Sequence, residues 1–282
     1  MSYSKKLIVN PGSKVDLEKI STHWHGKHPS HKDAKPNIEK HLLELDQQQY
    51  LLYAENKRSL LIVLQGLDAA GKDGVIRHVL SGMNPQGCTV TGFKQPTAQE
   101  ISHDFLWRVH PHAPQKGGVS IFNRSHYEDV LISRVHKSVS PRECSRRYIL
   151  INGFEKLLVE ENKTVVLKFF LHISKKEQLN RFSDRLSNPS RQWKISENDY
   201  SERTFWDAYR TAYQELLENT STRDAPWFVI PSDHKWFRNL AISNIIANTL
   251  KDLKLHAPAA SVNLDEIRRK YHAAVKLEKL KY

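Results

Sequence analysis

The sequence predicts an α/β fold: a five-stranded parallel sheet with helices on both faces and a helical lid. Three observations predict it. Short apolar runs recur along the chain, and the first, Leu60-Leu61-Ile62-Val63-Leu64-Gln65, has the character of a strand buried on both faces. Amphipathic helical spacing separates these runs, the pattern of βαβ units with right-handed crossovers. No linker rich in Gly, Ser or Pro interrupts the 282 residues, so the chain is expected to form one domain over 1–282.

The elements follow in order. Residues 1–36 are polar and irregular, with Pro11, Pro29 and Pro36 as breaks; His23, His25, His28 and His31 lie here and are read as part of a solvated arm. Leu42, Leu43, Leu45, Tyr50, Leu52 and Tyr53 give 37–56 the spacing of an amphipathic helix. After the strand at 60–65, a glycine-rich turn leads into a helix over 72–82, and 88–92 is a short strand. Thr97 and Glu100 form a capping box, 118–122 is a strand, and Ser140-Pro141-Arg142-Glu143 opens a helix to about Glu160. Val165 to Leu171 is a strand, Ser174 to Glu177 caps the next helix, and Trp227 to Ile230 is the last strand. Helices follow over 235–255 and from Asn263. The core is expected over 57–255, with 1–56 as arm and helix and 256–282 as a helical tail.

Composition narrows the function. Hydrophobic residues are 39% and charged residues 26%, as in a globular protein, and the formal net charge is +12. A surplus of that size calls for an anionic partner such as a nucleotide, a nucleic acid, a membrane surface or another polyphosphate. No apolar run approaches the ~20 residues a membrane span needs, and the start lacks a secretory apolar stretch. Cys88 and Cys144 form no C-x-x-C pair, which excludes a cysteine-built zinc site or disulfide framework. A reducing, cytoplasmic setting is the expectation.

Gly66-Leu67-Asp68-Ala69-Ala70-Gly71-Lys72 matches G-x-x-x-x-G-K and sits between a buried strand and a helix, as the mechanism of a phosphate-binding loop requires. Its N–H groups and the positive helix end cradle an anion, and Lys72 adds charge for the terminal phosphates. The next residue is Asp73, not the Ser or Thr whose hydroxyl holds Mg²⁺ in ordinary P-loop enzymes. Asp68 is then the candidate metal ligand, with a turn carboxylate as the plainer alternative; Asp73 reads first as an acid favoured by the helix dipole. The strand at 118–122 ends in Asn123-Arg124, where Arg124 can fork two phosphate oxygens. Glu128 could hold a metal, or it could close a capping box with Ser125.

Between Lys175 and Lys194 there are six basic residues against two acids. Arg181 and Arg185 share a helical face, Asn188-Pro189-Ser190 breaks the helix, and Trp206, Tyr209 and Tyr213 space the next one for packing. Two helices around a basic hinge, at about 175–206, look like the lid of a nucleotide-type kinase, closing arginines over a transferring phosphate.

Taken together, Gly66 to Gly74 with Arg77, the segment Phe122 to Asp129, and Trp193-Lys194-Ile195-Ser196 with Asp199 resemble type 2 polyphosphate kinases. The Ser-His-Tyr-Glu-Asp form of 125–129 is similar to the class III subgroup. The resemblance implies a P-loop, thymidylate-kinase-like fold. It implies reversible, Mg²⁺-dependent transfer of the terminal phosphoryl group of inorganic polyphosphate to AMP and ADP, with Mn²⁺ as a substitute metal. It also implies binding of ATP and guanine nucleotides and assembly as a homodimer or tetramer, with neither nucleic acid nor membrane as partner. The expected phosphate cradle is Gly66, Ala69, Ala70, Gly71, Lys72, Asp73, Gly74, Arg77, Arg124 and Lys194. Asp68 and Glu128 are the expected metal ligands, and Asp68, Lys72, Arg124, Glu128, Arg181 and Arg185 the expected catalytic set. The competing expectations are an ATP-dependent nucleoside monophosphate kinase and a nucleic-acid-binding ATPase, although no helix-turn-helix, RNP or zinc-finger signature supports the second.

Overall fold

A computed structural model describes residues 3–279. Five strands, β1 (Ser59–Gln65), β2 (Cys88–Gly92), β3 (Val119–Asn123), β4 (Thr164–His172) and β5 (Trp227–Pro231), form one sheet in the order β2-β3-β1-β4-β5. All four pairings are parallel. The helices are α1 (Ser4–Leu7), α2 (His31–Glu55), α3 (Lys72–His78), α4 (Ala98–Ile101), α5 (Glu128–Val135), α6 (Pro141–Asn162), α7 (Lys175–Ser187), α8 (Glu197–Arg203), α9 (Trp206–Thr220), α10 (Lys235–Asp252) and α11 (Leu264–Lys279).

β1 is the central strand, and all seven of its residues are buried. Leu60, Ile62 and Leu64 point into a core built with α2, α3 and α10. Leu61 and Val63 point into a second core with α5, α6 and α9. Each such side chain contributes roughly 1.5–3 kcal/mol when fully buried. One polar group is buried here on purpose: Lys168 of β4 donates to Glu155 at 2.6 Å, to the Tyr127 hydroxyl at 2.9 Å and to the Thr220 carbonyl at 2.7 Å. All three of its N–H groups thus have partners.

The amino-terminal segment corrects the expectation of a solvated arm. Leu7, Val9, Val15 and Leu17 are buried, the Val9 N–H donates to the Trp227 carbonyl at 2.8 Å, and Ile8 bridges antiparallel to Phe228. The segment thereby covers the outer edge of β5, which would otherwise be an open template for pairing. Helix α2 also begins earlier than expected, at His31, with Ser30 as its N-cap and Pro36 inside it. The lost bond to the Lys32 carbonyl is a local cost, outweighed by burial of Ala34, Leu45 and Leu52. No helix among the described residues is long and apolar enough to cross a membrane.

Candidate phosphoryl-transfer site

The strand order reverses direction beside β1, and in open parallel sheets ligands bind at the carboxyl ends of the strands at such a point. The loop between β1 and α3 lies there. Gly71 has φ of 108°, in the left-handed region that glycine tolerates, and Ala69 has φ of 60°. A Cβ at Gly66 would lie 2.9 Å from the Leu171 carbonyl, so the loop can leave β1 against β4 only with glycine at that position. Lys72 Nζ folds back to donate to the Gly66 carbonyl at 2.6 Å. Burial lowers its pKa, and Asp68 partly offsets this.

The register Leu64↔Asn123 sets the end of β3 beside this loop. The Arg124 N–H still continues the ladder to the Leu64 carbonyl at 3.1 Å, but its φ of 62° turns the chain out of the strand. For a non-glycine residue that conformation costs on the order of 1–2 kcal/mol. Its side chain meets Asp68, Nη2 to Oδ1 at 3.1 Å. Burial opposes the Arg124 charge, but Glu128 and Asp68 outweigh it and hold the pKa up. Glu128 is the first residue of α5, and burial raises its carboxyl pKa against the pull of Arg124 and Lys72. The capping box with Ser125 is not formed: Ser125 Oγ accepts from Gln65 Nε2 at 2.9 Å and from the Tyr127 N–H at 3.2 Å. The Glu128 carboxylate is therefore not held by a cap.

Of the expected lid residues, Lys194 reaches the start of α3, whereas Arg185 makes its contacts within the lid. Lys194 Nζ pairs with Asp73 Oδ2 at 3.1 Å, and Asn123 Nδ2 donates to Asp73 Oδ1 at 3.0 Å. Burial works against the Asp73 carboxylate, but these two bonds outweigh it and keep its pKa low. Asp73 is thus more than a first-turn acid, since it ties the lid to the loop. Arg185 Nη1 contacts Asp199 Oδ2 and the Lys194 carbonyl, both at 3.3 Å.

Arg181 is a correction. It was expected to close over a transferring phosphate, but it is 6% exposed and runs beneath the loop. Nε donates to Glu177 at 2.8 Å, Nη1 to the Ala69 and Ala70 carbonyls at 2.8 and 2.9 Å, and Nη2 to the Ser232 and Asp233 carbonyls at 2.5 and 3.2 Å. Five N–H donors meet five acceptors, so none is left for a ligand. Arg77 is exposed in the last turn of α3 and is not brought to the cluster.

Two residues near the loop were not among the residues expected from the sequence. Gln178, 2% exposed, donates through Nε2 to the Asp68 carbonyl at 2.9 Å and accepts from Arg203 Nη1 at 2.6 Å, linking α8 to the loop. Arg238 of α10 packs under Gly71 and Gly74. The spacing of Gln178 four residues after the Ser174 cap could have placed it on the Arg181 side of α7; nothing in the sequence around Arg238 marks it.

The oxygen donors Asp68 and Glu128 suit a hard cation, which takes one or two carboxylates and completes its shell with phosphate oxygens and water. Among the described residues no group of three or more His, Cys, Asp or Glu side chains could cage a metal by itself.

A phosphate loop facing an arginine at the end of the neighbouring strand, under a basic helical lid, defines a P-loop phosphotransferase of the kinase kind. The family described as polyphosphate kinase 2 matches residues 28–258, and the chain belongs to that family. It is 42% identical over 271 residues to the ADP-polyphosphate phosphotransferase of Rhodopseudomonas palustris, covering 90% of this chain and 92% of that one. It is 42% identical over 267 residues to the AMP/ADP-polyphosphate phosphotransferase of Meiothermus ruber, covering 93% and 98%. The crystal structure of polyphosphate kinase 2 from Arthrobacter aurescens superimposes with a TM-score of 0.93 at 39% identity, covering 97% of both chains.

Proposed function

We propose that this protein is a polyphosphate-dependent nucleotide kinase that converts AMP to ADP and ADP to ATP, reversibly and with Mg²⁺. The observation that carries the proposal is the Asp68–Arg124 pair at the mouth of the loop, 3.1 Å apart beside Lys72. An acid and a base held together there can each exchange the other for a metal and a phosphate. The names of the two relatives above support the substrates.

An oxygen of the acceptor's terminal phosphate attacks the end phosphorus of the polyphosphate. The bond from that phosphorus to the bridging oxygen breaks, and the chain leaves one phosphate shorter. Catalysis is by positioning and electrostatics. The loop N–H groups and Lys72 hold the polyphosphate end, Asp68 orients the acceptor, and Arg124 forks phosphate oxygens at the reacting centre. Lys194 and Arg185 close from the lid, while Arg181 fixes the loop from below. Mg²⁺, or Mn²⁺ in its place, would be held by Asp68 and Glu128 and would neutralise charge between the phosphates. The +12 net charge suits a linear polyanion. A single domain, a cytoplasmic setting, use of guanine nucleotides and a homo-oligomeric state belong to the same reading. ATP as donor to a nucleoside monophosphate is not favoured.

The test supplies Mg²⁺, long-chain polyphosphate and either AMP or ADP, and follows nucleotides by chromatography, with Asp68→Asn and Lys72→Ala in parallel. AMP is expected to give ADP and then ATP, and both variants are expected to be inactive. Reaction with ADP alone keeps polyphosphate as the donor and removes AMP from the acceptors. Phosphorylation of AMP by ATP but not by polyphosphate overturns the proposal.

A further inference from the structure

Arg238 is a buried cation with no counter-charge among the described residues. It is 3% exposed. Nη1 donates to the Ala70 carbonyl at 3.4 Å, and Nε and Nη2 donate to Asn239 Oδ1 at 3.2 and 2.9 Å. Those are three contacts, all to neutral oxygens, for five N–H donors. The other charge acting on it is Arg181, which repels it; burial first and Arg181 second push its pKa down to about 9. Arg181 differs in having Glu177 as an ion-pair partner.

Its position is specific. A Cβ at Gly74 would lie 2.8 Å from Arg238 Nη2, and a Cβ at Gly71 would collide with Nη1. The loop therefore has no side chain where the guanidinium passes, and the charge lies directly against its backbone at Gly71 and Gly74. A buried charge without a partner is costly, and an apolar residue of similar volume usually serves stability better. The charge is explained if its partner arrives with the substrate. In a low-dielectric setting an anion in the loop feels it through the backbone.

We infer that Arg238 is a positioning residue for the reacting phosphate, a fixed charge whose counter-ion is the polyphosphate end held in the loop. The inference rests on the loop being the polyphosphate site, as proposed above.

Thermal unfolding of wild type, Arg238→Met and Arg238→Gln, each with and without Mg²⁺-tripolyphosphate, tests it together with steady-state kinetics. Without the anion, Arg238→Met is expected to melt at or above the wild-type temperature. With it, most of the anion-dependent rise in Tm seen in wild type is expected to vanish, because binding stabilises by mass action. The KM for polyphosphate is expected to rise about tenfold, equivalent to about 1.4 kcal/mol, while the KM for nucleotide stays within about twofold. Arg238→Gln, which keeps hydrogen bonding and loses charge, must show the same loss. A strut role would give the opposite pattern, with a lower Tm without the anion and an undiminished response to it, and would overturn the inference. If wild type itself fails to respond to tripolyphosphate, the assignment of the loop falls and the inference falls with it.

Discussion

Replacing Arg181 by alanine removes five hydrogen bonds, four of them to backbone carbonyls of the loop and of the segment after β5. Removing one partner of a buried ion pair costs about 3–5 kcal/mol. Here Glu177 keeps 22% exposure, so water can serve its carboxylate once the arginine is gone. That takes the expected loss to the lower end, about 3 kcal/mol. At roughly 2–4 °C per kcal/mol for a chain of this size, Tm should fall by about 6–12 °C. The assay is thermal unfolding by circular dichroism without substrate, checked by urea denaturation, with activity measured well below the lowered Tm. Arg181→Lys should recover little, since an ammonium cannot reach carbonyls on both sides of the loop. A Tm within about 1 °C of wild type, with activity lost, would show that Arg181 is a free lid cation and refute the strut.

Asp73→Asn removes an internal anion that competes for Lys194; its pair is exposed and worth at most about 1 kcal/mol, so Tm should hold and the polyphosphate KM should fall up to about fivefold. An unchanged KM would mean that Lys194 does not meet the substrate. Burial raises the folded pKa of Glu128 above its unfolded value, so its ionisation costs stability, and the cost appears as pH rises through the carboxylate range. Glu128→Gln should therefore raise Tm at neutral pH, give no gain at pH below the ordinary carboxylate range, and lower activity; an equal gain at both pH values would sink the argument. Glu155→Leu leaves Lys168 buried and unpaired and should cost about 3–5 kcal/mol, whereas the double change Glu155→Leu with Lys168→Met should recover most of it in urea denaturation.

The strands were legible in the sequence because a parallel sheet buried on both faces demands continuous apolar runs, and the five observed strands fall within a residue or two of the five expected. The loop was legible because G-x-x-x-x-G-K states a backbone requirement directly. Arg181 was misjudged because the spacing of charges on a helix says which face they share but not whether that face meets solvent or carbonyls. Arg238 and Gln178 were missed for a related reason. Their links to the loop are to backbone atoms more than a hundred residues away, and backbone atoms leave no trace in residue identity. The amino-terminal segment was misread because its apolar residues are few and widely spaced among polar ones, although four of them are buried.

That segment also orders events during synthesis. Ser221 Oγ donates to the Val9 carbonyl across a separation of 212 residues. At about 5–20 residues per second, this segment waits roughly 10–40 s after its own synthesis for the strand it will cover. Until then Ile8 and Val9 lack their partners in β5, and Val15 and Leu17 lack theirs in α9, so when β5 emerges its outer edge is open to any other strand in reach. Docking of this segment on β5 is therefore a late step of maturation, and the interval before it is when the nascent protein is most exposed to mispairing.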